Sequence, residues 1–312
     1  MFDGYSAFGV KMLRRQPAVR AANAARDDTA ADVDADLPPR RSIPALPVLM
    51  PMRHNLAMAD ALAANRDTSP QLYARVGGLL YLLIIVAGVA GELFVRGSMV
   101  VSRDAAATAH NIATAPWLWR AGIAGDLVMH LCDPVVMLVF YVLLRPVNRN
   151  LALLALLFNV IQSAMLVANK LNLLLPLFFL SNAEHLKAFS PQQLQALSYV
   201  AVQTHEYGFN VGLLFFGVTA IIYGYLIVQS GYFPKLLGIL MSLAGVCYMT
   251  NSFALLLSPA FESKLVPFIL LPCFIGELSM ALWLTLKGVN IDKFHERSRR
   301  AMASPPLSLS PR

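Results

Sequence analysis

The sequence predicts an all-α membrane protein, a six-span transmembrane helix bundle with both termini cytoplasmic, from three observations. Only 14% of the 312 residues are charged while 57% are hydrophobic, against about 25% charged in an ordinary soluble chain. Six windows of bilayer length are almost free of charge. Lys and Arg are divided unequally between the two sets of connections that those windows separate.

A spanning helix needs about 20 mostly apolar residues at about 1.5 Å of rise each. Windows at 72–95, 121–144, 150–173, 206–229, 235–257 and 265–286 meet that requirement. The fourth and fifth are the clearest, because 207–234 and 236–261 contain no Asp, Glu, Lys, Arg or His. The second and third carry polar residues, and their flanks define them. Trp117 and Trp119 precede the second, and Arg145-Pro146 ends it before Asn148 and Arg149 turn the chain, as aromatic and breaker residues do at membrane boundaries. In the sixth, Pro267 and Pro272 are kink candidates.

Counting by side sets the orientation. Residues 1–75, the 145–149 and 230–235 turns and the segment from Lys287 onward hold nineteen Lys and Arg. The other side holds five: Arg96, Arg103, Arg120, Lys187 and Lys264. That asymmetry predicts both termini in the cytoplasm. It also accounts for the formal charge of +7 without nucleic acid, since residues 1–75 carry eight acids beside their ten bases.

Residues 1–70 differ in kind, with seven prolines among Ala, Asp and Arg and no apolar run of signal-peptide length. They read as a disordered cytoplasmic segment with a short helix near 55–64. Met50, Met52 and Met58 leave a downstream natural start open. Residues 71–290 form the transmembrane domain and 291–312 a basic cytoplasmic tail. On the opposite side, 102–115 reads as a surface helix capped at Ser102 with Asp104 in its first turn. Ser190-Pro191-Gln192-Gln193 has capping-box spacing and starts a helix that runs into the fourth span.

An ionisable side chain in hydrocarbon costs about 2.5–3.5 kcal/mol on insertion scales, so each one must face protein, water or a partner. Asp126, His130 and Asp133 stand at i, i+4 and i+7 of the second span, a single stripe at about 100° per residue. The stripe fits a proton relay, part of a metal site, or a hydrogen-bonded seam between helices. On the third span Asn159, Gln162, Asn169 and Lys170 share a face. Lys170, taken as the single Lys or Arg well inside a span, requires an anion, with Asp126, Glu92 and Glu206 as candidates, and fits a salt bridge or a ligand-binding ammonium. His205, Glu206 and Asn210 begin the fourth span, where Gly208 and Gly212 form a GxxxG for close packing. Asn251 lies late in the fifth span and Glu277 near the middle of the sixth.

With the N-terminus inside, Glu92, Asp126, His130, Lys170, His205, Glu206 and Asn210 fall in the outer half, and Asp133 and Glu277 near the middle. This predicts a polar cavity open to the extracytoplasmic face and closed below by Leu, Ile and Phe; the alternative is polar residues favouring a wet interface. The candidate ligand or proton pathway is therefore Glu92, Asp126, His130, Asp133, Lys170, His205, Glu206, Asn210 and Glu277. Asp126, His130 and His205 are the candidates for a metal, with Asp133 for a zinc hydrolase, and His130 with His205 for a haem. No nucleotide-binding, hydrolase or zincin motif occurs in a credible context, and no cofactor is expected. Cys132, Cys247 and Cys273 read as packing residues.

From Ala74 to Val289 the chain also resembles a known family. The residues that carry this are Asp104-Ala105-Ala106-Ala107-Thr108-Ala109, Leu144-Arg145-Pro146-Val147-Asn148-Arg149, His205-Glu206-Tyr207-Gly208-Phe209, Ser230-Gly231-Tyr232-Phe233-Pro234 and Gly276-Glu277-Leu278. Their joint order is similar to that of the bacterial integral membrane family catalogued as domain of unknown function 4386. The resemblance implies a six-helix bacterial inner-membrane protein and supplies no activity, substrate, cofactor or catalytic residue. Three classes of function follow. The first is binding or transport of a small ligand or protons; the others are a non-catalytic sensor or assembly partner, and an intramembrane metal-dependent enzyme. The partners expected are the lipid bilayer and a small molecule, with no nucleic acid; the sequence specifies no oligomeric state.

Overall fold

The computed structural model describes residues 69–181 and 183–303. Within them every regular element is a helix. We number them α1 Pro70–Met99, α2 Ala105–Thr114, α3 Pro116–Leu144, α4 Arg149–Phe179, α5 Pro191–Ser230, α6 Lys235–Leu257, α7 Pro259–Leu286 and α8 Ile291–Ala303. Six of these, α1 and α3 to α7, contain a stretch long and apolar enough to cross a membrane. The segment expected to be disordered, with its short helix near 55–64 and the alternative start methionines, lies outside the described residues apart from Ser69 and Pro70.

The helix starts follow local chemistry. Pro occupies the first turn of α1, α3, α5 and α7, where its missing N–H costs nothing and its φ is already helical. The capping box at Ser190 is present: the Ser190 hydroxyl accepts from the Gln193 amide and the Gln193 side chain accepts from the Ser190 amide. At α2 the cap moves from the expected Ser102 to Asp104, whose carboxylate accepts from the Ala107 amide at 2.8 Å. Asp is the better acceptor for an orphan helix N–H, and Arg103 before it takes a left-handed φ of 63° that breaks any earlier start.

Several helices outrun their apolar windows. α5 has 40 residues, about twice what a bilayer needs. Its first turns overhang and carry α2, and Tyr199 accepts a hydrogen bond from the Arg103 amide at 2.7 Å. α7 starts at Pro259 and continues helically through Pro267 and Pro272. α1 contains a π-helical turn over Gly91–Arg96, a wider, underwound turn of a kind frequent at functional sites.

The six long helices form a closed ring in chain order, each packed against the next and α7 returning to α1. Hydrogen bonds fasten the closure: Gln71 donates to the Lys287 carbonyl at 2.8 Å and accepts from the Val289 amide at 3.0 Å. The α5–α6 contact is backbone on backbone. A Cβ at Gly238 would lie 2.5 Å from the Gly224 carbonyl, and one at Gly245 would lie 2.5 Å from the Gly217 carbonyl. Small residues allow this approach where lipid supplies no hydrophobic drive between helices. The expected GxxxG serves a different pair, with Gly212 against Leu166 and Gly208 against Asn169 of α4.

Apolar clusters pack at both ends of the ring. At the end holding the 145–148 and 231–234 turns, Phe140, Leu143, Leu144, Tyr223, Leu226, Ile227, Met241 and Leu284 are buried together. There α8 docks through Phe294, edge-on to Tyr232, and burial pushes the Tyr232 phenol above its ordinary range. At the far end Val95, Met99, Ile112, Trp119, Leu173 and Val202 form a second cluster. It includes the buried indole of Trp119, which donates to the Leu173 carbonyl. Polar space lies between the two.

Candidate functional site

Six helices in a ring leave an interior, and here it is a cavity of about 700 Å³ lined by residues from all six spans. Every one of the nine candidate residues lies on its wall: Glu92, Asp126, His130, Asp133, Lys170, His205, Glu206, Asn210 and Glu277. Within that space they divide into separate groups.

The least exposed charges meet at Asp126. One of its carboxylate oxygens, Oδ2, accepts from Lys170 Nζ at 2.8 Å and from Arg96 Nη1 at 2.8 Å. Asp126 is 1% exposed and Lys170 4%, so neither is neutralised by water. Of the three anions open to Lys170 from sequence, the ring selects Asp126. Arg96 also donates to Glu92 at 2.7 Å, with the Glu92 side chain two-thirds exposed. The π-helical turn creates this arrangement by placing Glu92 and Arg96 within it. Gly91 provides the room, because a Cβ there would sit 3.1 Å from Asp126 Oδ1 and 3.3 Å from Arg96 Nη2. Sequence reasoning assigned Arg96 to the outer connection and missed it; its i+4 spacing from Glu92 was the available signal. Lys170 is therefore not the single cation inside a span.

His205 stands beside this cluster, its Nε2 3.4 Å from Lys170 Nζ. An ammonium has donors only, so that nitrogen is the acceptor. The expected stripe on α3 divides, because Asp126 turns to the two cations while His130 turns to Asp133. His130 Nδ1 lies 2.9 Å from Asp133 Oδ2, which also accepts from the Ser163 hydroxyl at 2.9 Å. His130 Nε2 is buried with no hydrogen-bond partner among the described residues. Pro134 adds to the polarity here, since it has no N–H for the His130 carbonyl.

Glu277 lies toward the apolar floor. Tyr81 donates to its Oε2 at 2.9 Å and Tyr248 donates to Oε1. Both phenols were absent from the sequence-level candidates, because a tyrosine in a span signals nothing until its depth and facing are known. Asn210 belongs to a seam as well as to the wall: its side-chain oxygen accepts from Asn251 at 2.9 Å and its backbone carbonyl from Ser252 at 2.8 Å. Glu206 makes no side-chain hydrogen bond or ion pair among the described residues. Glu262, at the start of α7, joins the cavity wall unforeseen. Burial and the nearby Glu206 carboxylate hold Glu262 above its usual range.

The metal candidates separate. Among the described residues no group of three or more His, Cys, Asp or Glu is arranged to hold a metal ion. Asp126 is occupied by two cations, and the Lys170 ammonium faces the nitrogen that His205 would offer to a metal or haem. The geometry thus gives no support to the zinc-hydrolase or haem alternatives.

Comparison with known proteins agrees with this architecture and adds no chemistry. An uncharacterized protein of Archaeoglobus fulgidus is 28% identical over 167 residues, 53% of this chain and 83% of the relative. That relative is archaeal, so the similarity does not itself place the chain in bacteria. No solved structure matches. The family model described as Domain of unknown function (DUF4386) matches residues 76–288, the whole ring from the first turns of α1 to the end of α7, and the chain belongs to that family.

Proposed function

We propose that this multi-pass membrane protein binds a small ligand or protons in the cavity and passes them between the cavity and the extracytoplasmic side, with both termini in the cytoplasm of an inner membrane. One observation carries the reading: ionisable groups from the ring's helices line a single cavity of about 700 Å³, within the size range of small-molecule sites. Side chains costly to place in a membrane are functional by default when they face such a space. The Lys and Arg asymmetry supports the orientation.

Water accessibility tests it. In a full-length chain with Cys132, Cys247 and Cys273 replaced by Ala, single substitutions Glu206→Cys and Asp133→Cys are exposed to a membrane-impermeant thiol reagent in intact cells. The expected result is labelling of both, with Leu226→Cys unlabelled as the packed control. Absence of labelling at 206 and 133 from either face rejects a water-filled cavity; labelling from the cytoplasmic face alone rejects the orientation.

A further inference from the structure

The charge balance of the cavity wall is lopsided. Six carboxylates line it, Glu92, Asp126, Asp133, Glu206, Glu262 and Glu277, against one Arg and one Lys, Arg96 and Lys170. Both cations converge on one oxygen of Asp126. No cation is left over for an anionic ligand, and four of the carboxylates have no Lys or Arg ion-pair partner among the described residues.

Two of those four, Asp133 and Glu277, are the deepest. Their hydrogen-bond partners are Ser163, His130, Tyr81 and Tyr248, none of them a Lys or Arg. The His130 ring nitrogen turned away from Asp133 is buried on the same wall with no hydrogen-bond partner among the described residues. The surroundings are aromatic. Phe140 stacks on Tyr223 with centroids 4.5 Å apart and meets Tyr81 edge-on at 6.1 Å. Across Glu277, Phe216 meets Tyr248 at 5.6 Å. Because the Tyr81 and Tyr248 hydroxyls bind opposite oxygens of one carboxylate, their rings flank it.

We infer that the floor of the cavity binds an organic ammonium ion, its charged nitrogen between Asp133 and Glu277 and its apolar body along Ile84, Ile85 and Phe274. The inference rests on the ligand-binding reading above and names the ligand class. Carboxylates supply the countercharge, and ring faces attract a cation in a desolvated space. A metal ion does not fit, since the described residues form no ligand cluster. A proton alone would use neither the volume nor the aromatic walls. At the rim Glu92, Glu206 and Glu262 favour the entry of cations over anions.

The test is calorimetric titration of the full-length protein in lipid nanodiscs with phenethylammonium and benzyltrimethylammonium, and with 2-phenylethanol and phenylacetate as neutral and anionic counterparts of similar size. At least one ammonium probe is expected to bind about tenfold or more tighter than 2-phenylethanol. Glu277→Gln and Asp133→Asn, each checked for unchanged helicity and size-exclusion profile, are expected to remove that preference. The comparison of probes on the unaltered protein stands even if a variant fails to fold. Equal or tighter binding of 2-phenylethanol or phenylacetate overturns the ammonium assignment while leaving a ligand-binding cavity. Binding by none of the probes also overturns it, and the thiol labelling then decides separately whether the cavity itself stands. An ammonium preference that survives in both variants removes Asp133 and Glu277 as its source.

Discussion

Replacing Asp126 with Asn should destabilise the protein more than replacing its partner Lys170 with Met, and combining the two should restore stability. The magnitude follows from the neighbours. Asp126 is 1% exposed and takes both cations on one oxygen. Removing its charge leaves Arg96 with Glu92 but leaves Lys170, 4% exposed, with no counterion, and an uncompensated buried charge costs about 3–5 kcal/mol. Lys170→Met leaves Asp126 paired with Arg96, so its cost should be smaller, about 1–3 kcal/mol for a lost charge-assisted hydrogen bond. In the double variant no cation is stranded, because Arg96 keeps Glu92. Lys170→Met should therefore be stabilising when introduced into Asp126→Asn. Denaturant unfolding of the four proteins in mixed micelles, analysed as a double-mutant cycle, reads this directly. If the double variant is as unstable as the two single losses added together, the assignment of Lys170 and Asp126 as mutual counterions is wrong.

Other substitutions probe the frame around the site. Gly238→Leu places side-chain atoms against the Gly224 carbonyl, 2.5 Å from where a Cβ would sit. It should cost about 1–3 kcal/mol by overpacking, seen as a lower unfolding midpoint. Gln71→Ala removes both hydrogen bonds that tie α1 to the end of α7. It should cost about 1 kcal/mol and speed amide exchange across 287–290. Glu262 has a folded pKa raised above its ordinary 4.5, so its contribution to stability is complete below that value and is lost as pH rises through the raised one. Glu262→Gln should flatten that part of the stability–pH profile above 4.5, and an unchanged slope would show that Glu262 is not its source.

The gap between sequence and structure is clearest around Arg96. Hydropathy ended the first span at 95, because a charge beside a glycine looks like a membrane boundary. The helix instead continues to Met99 through a π turn that brings Arg96 toward Asp126. Local pattern carries no information about a partner thirty residues away on another helix. The same limit explains why the α3 stripe reads as one group from sequence: helical periodicity puts Asp126, His130 and Asp133 on one face. The neighbouring helices then separate their partners into cations for Asp126 and a hydroxyl for Asp133.

The order of residues sets whatever depends on solvent and on neighbours along the chain. Lipid demands long apolar helices, so the six spans were legible from length and composition. Caps and breakers act within four residues, so the start of α5 at Ser190-Pro191 was legible too. The cost of charge in hydrocarbon marked the nine polar residues as ones that must face something other than lipid. Only the tertiary structure decided what they face. The order of helices around the ring, and the glycines that let backbones touch, gather them about one space. They also give Lys170 to Asp126 rather than to Glu92 or Glu206, and set Glu277 between two tyrosines. Those outcomes depend on distances between segments far apart in the chain, which no periodicity within one helix encodes.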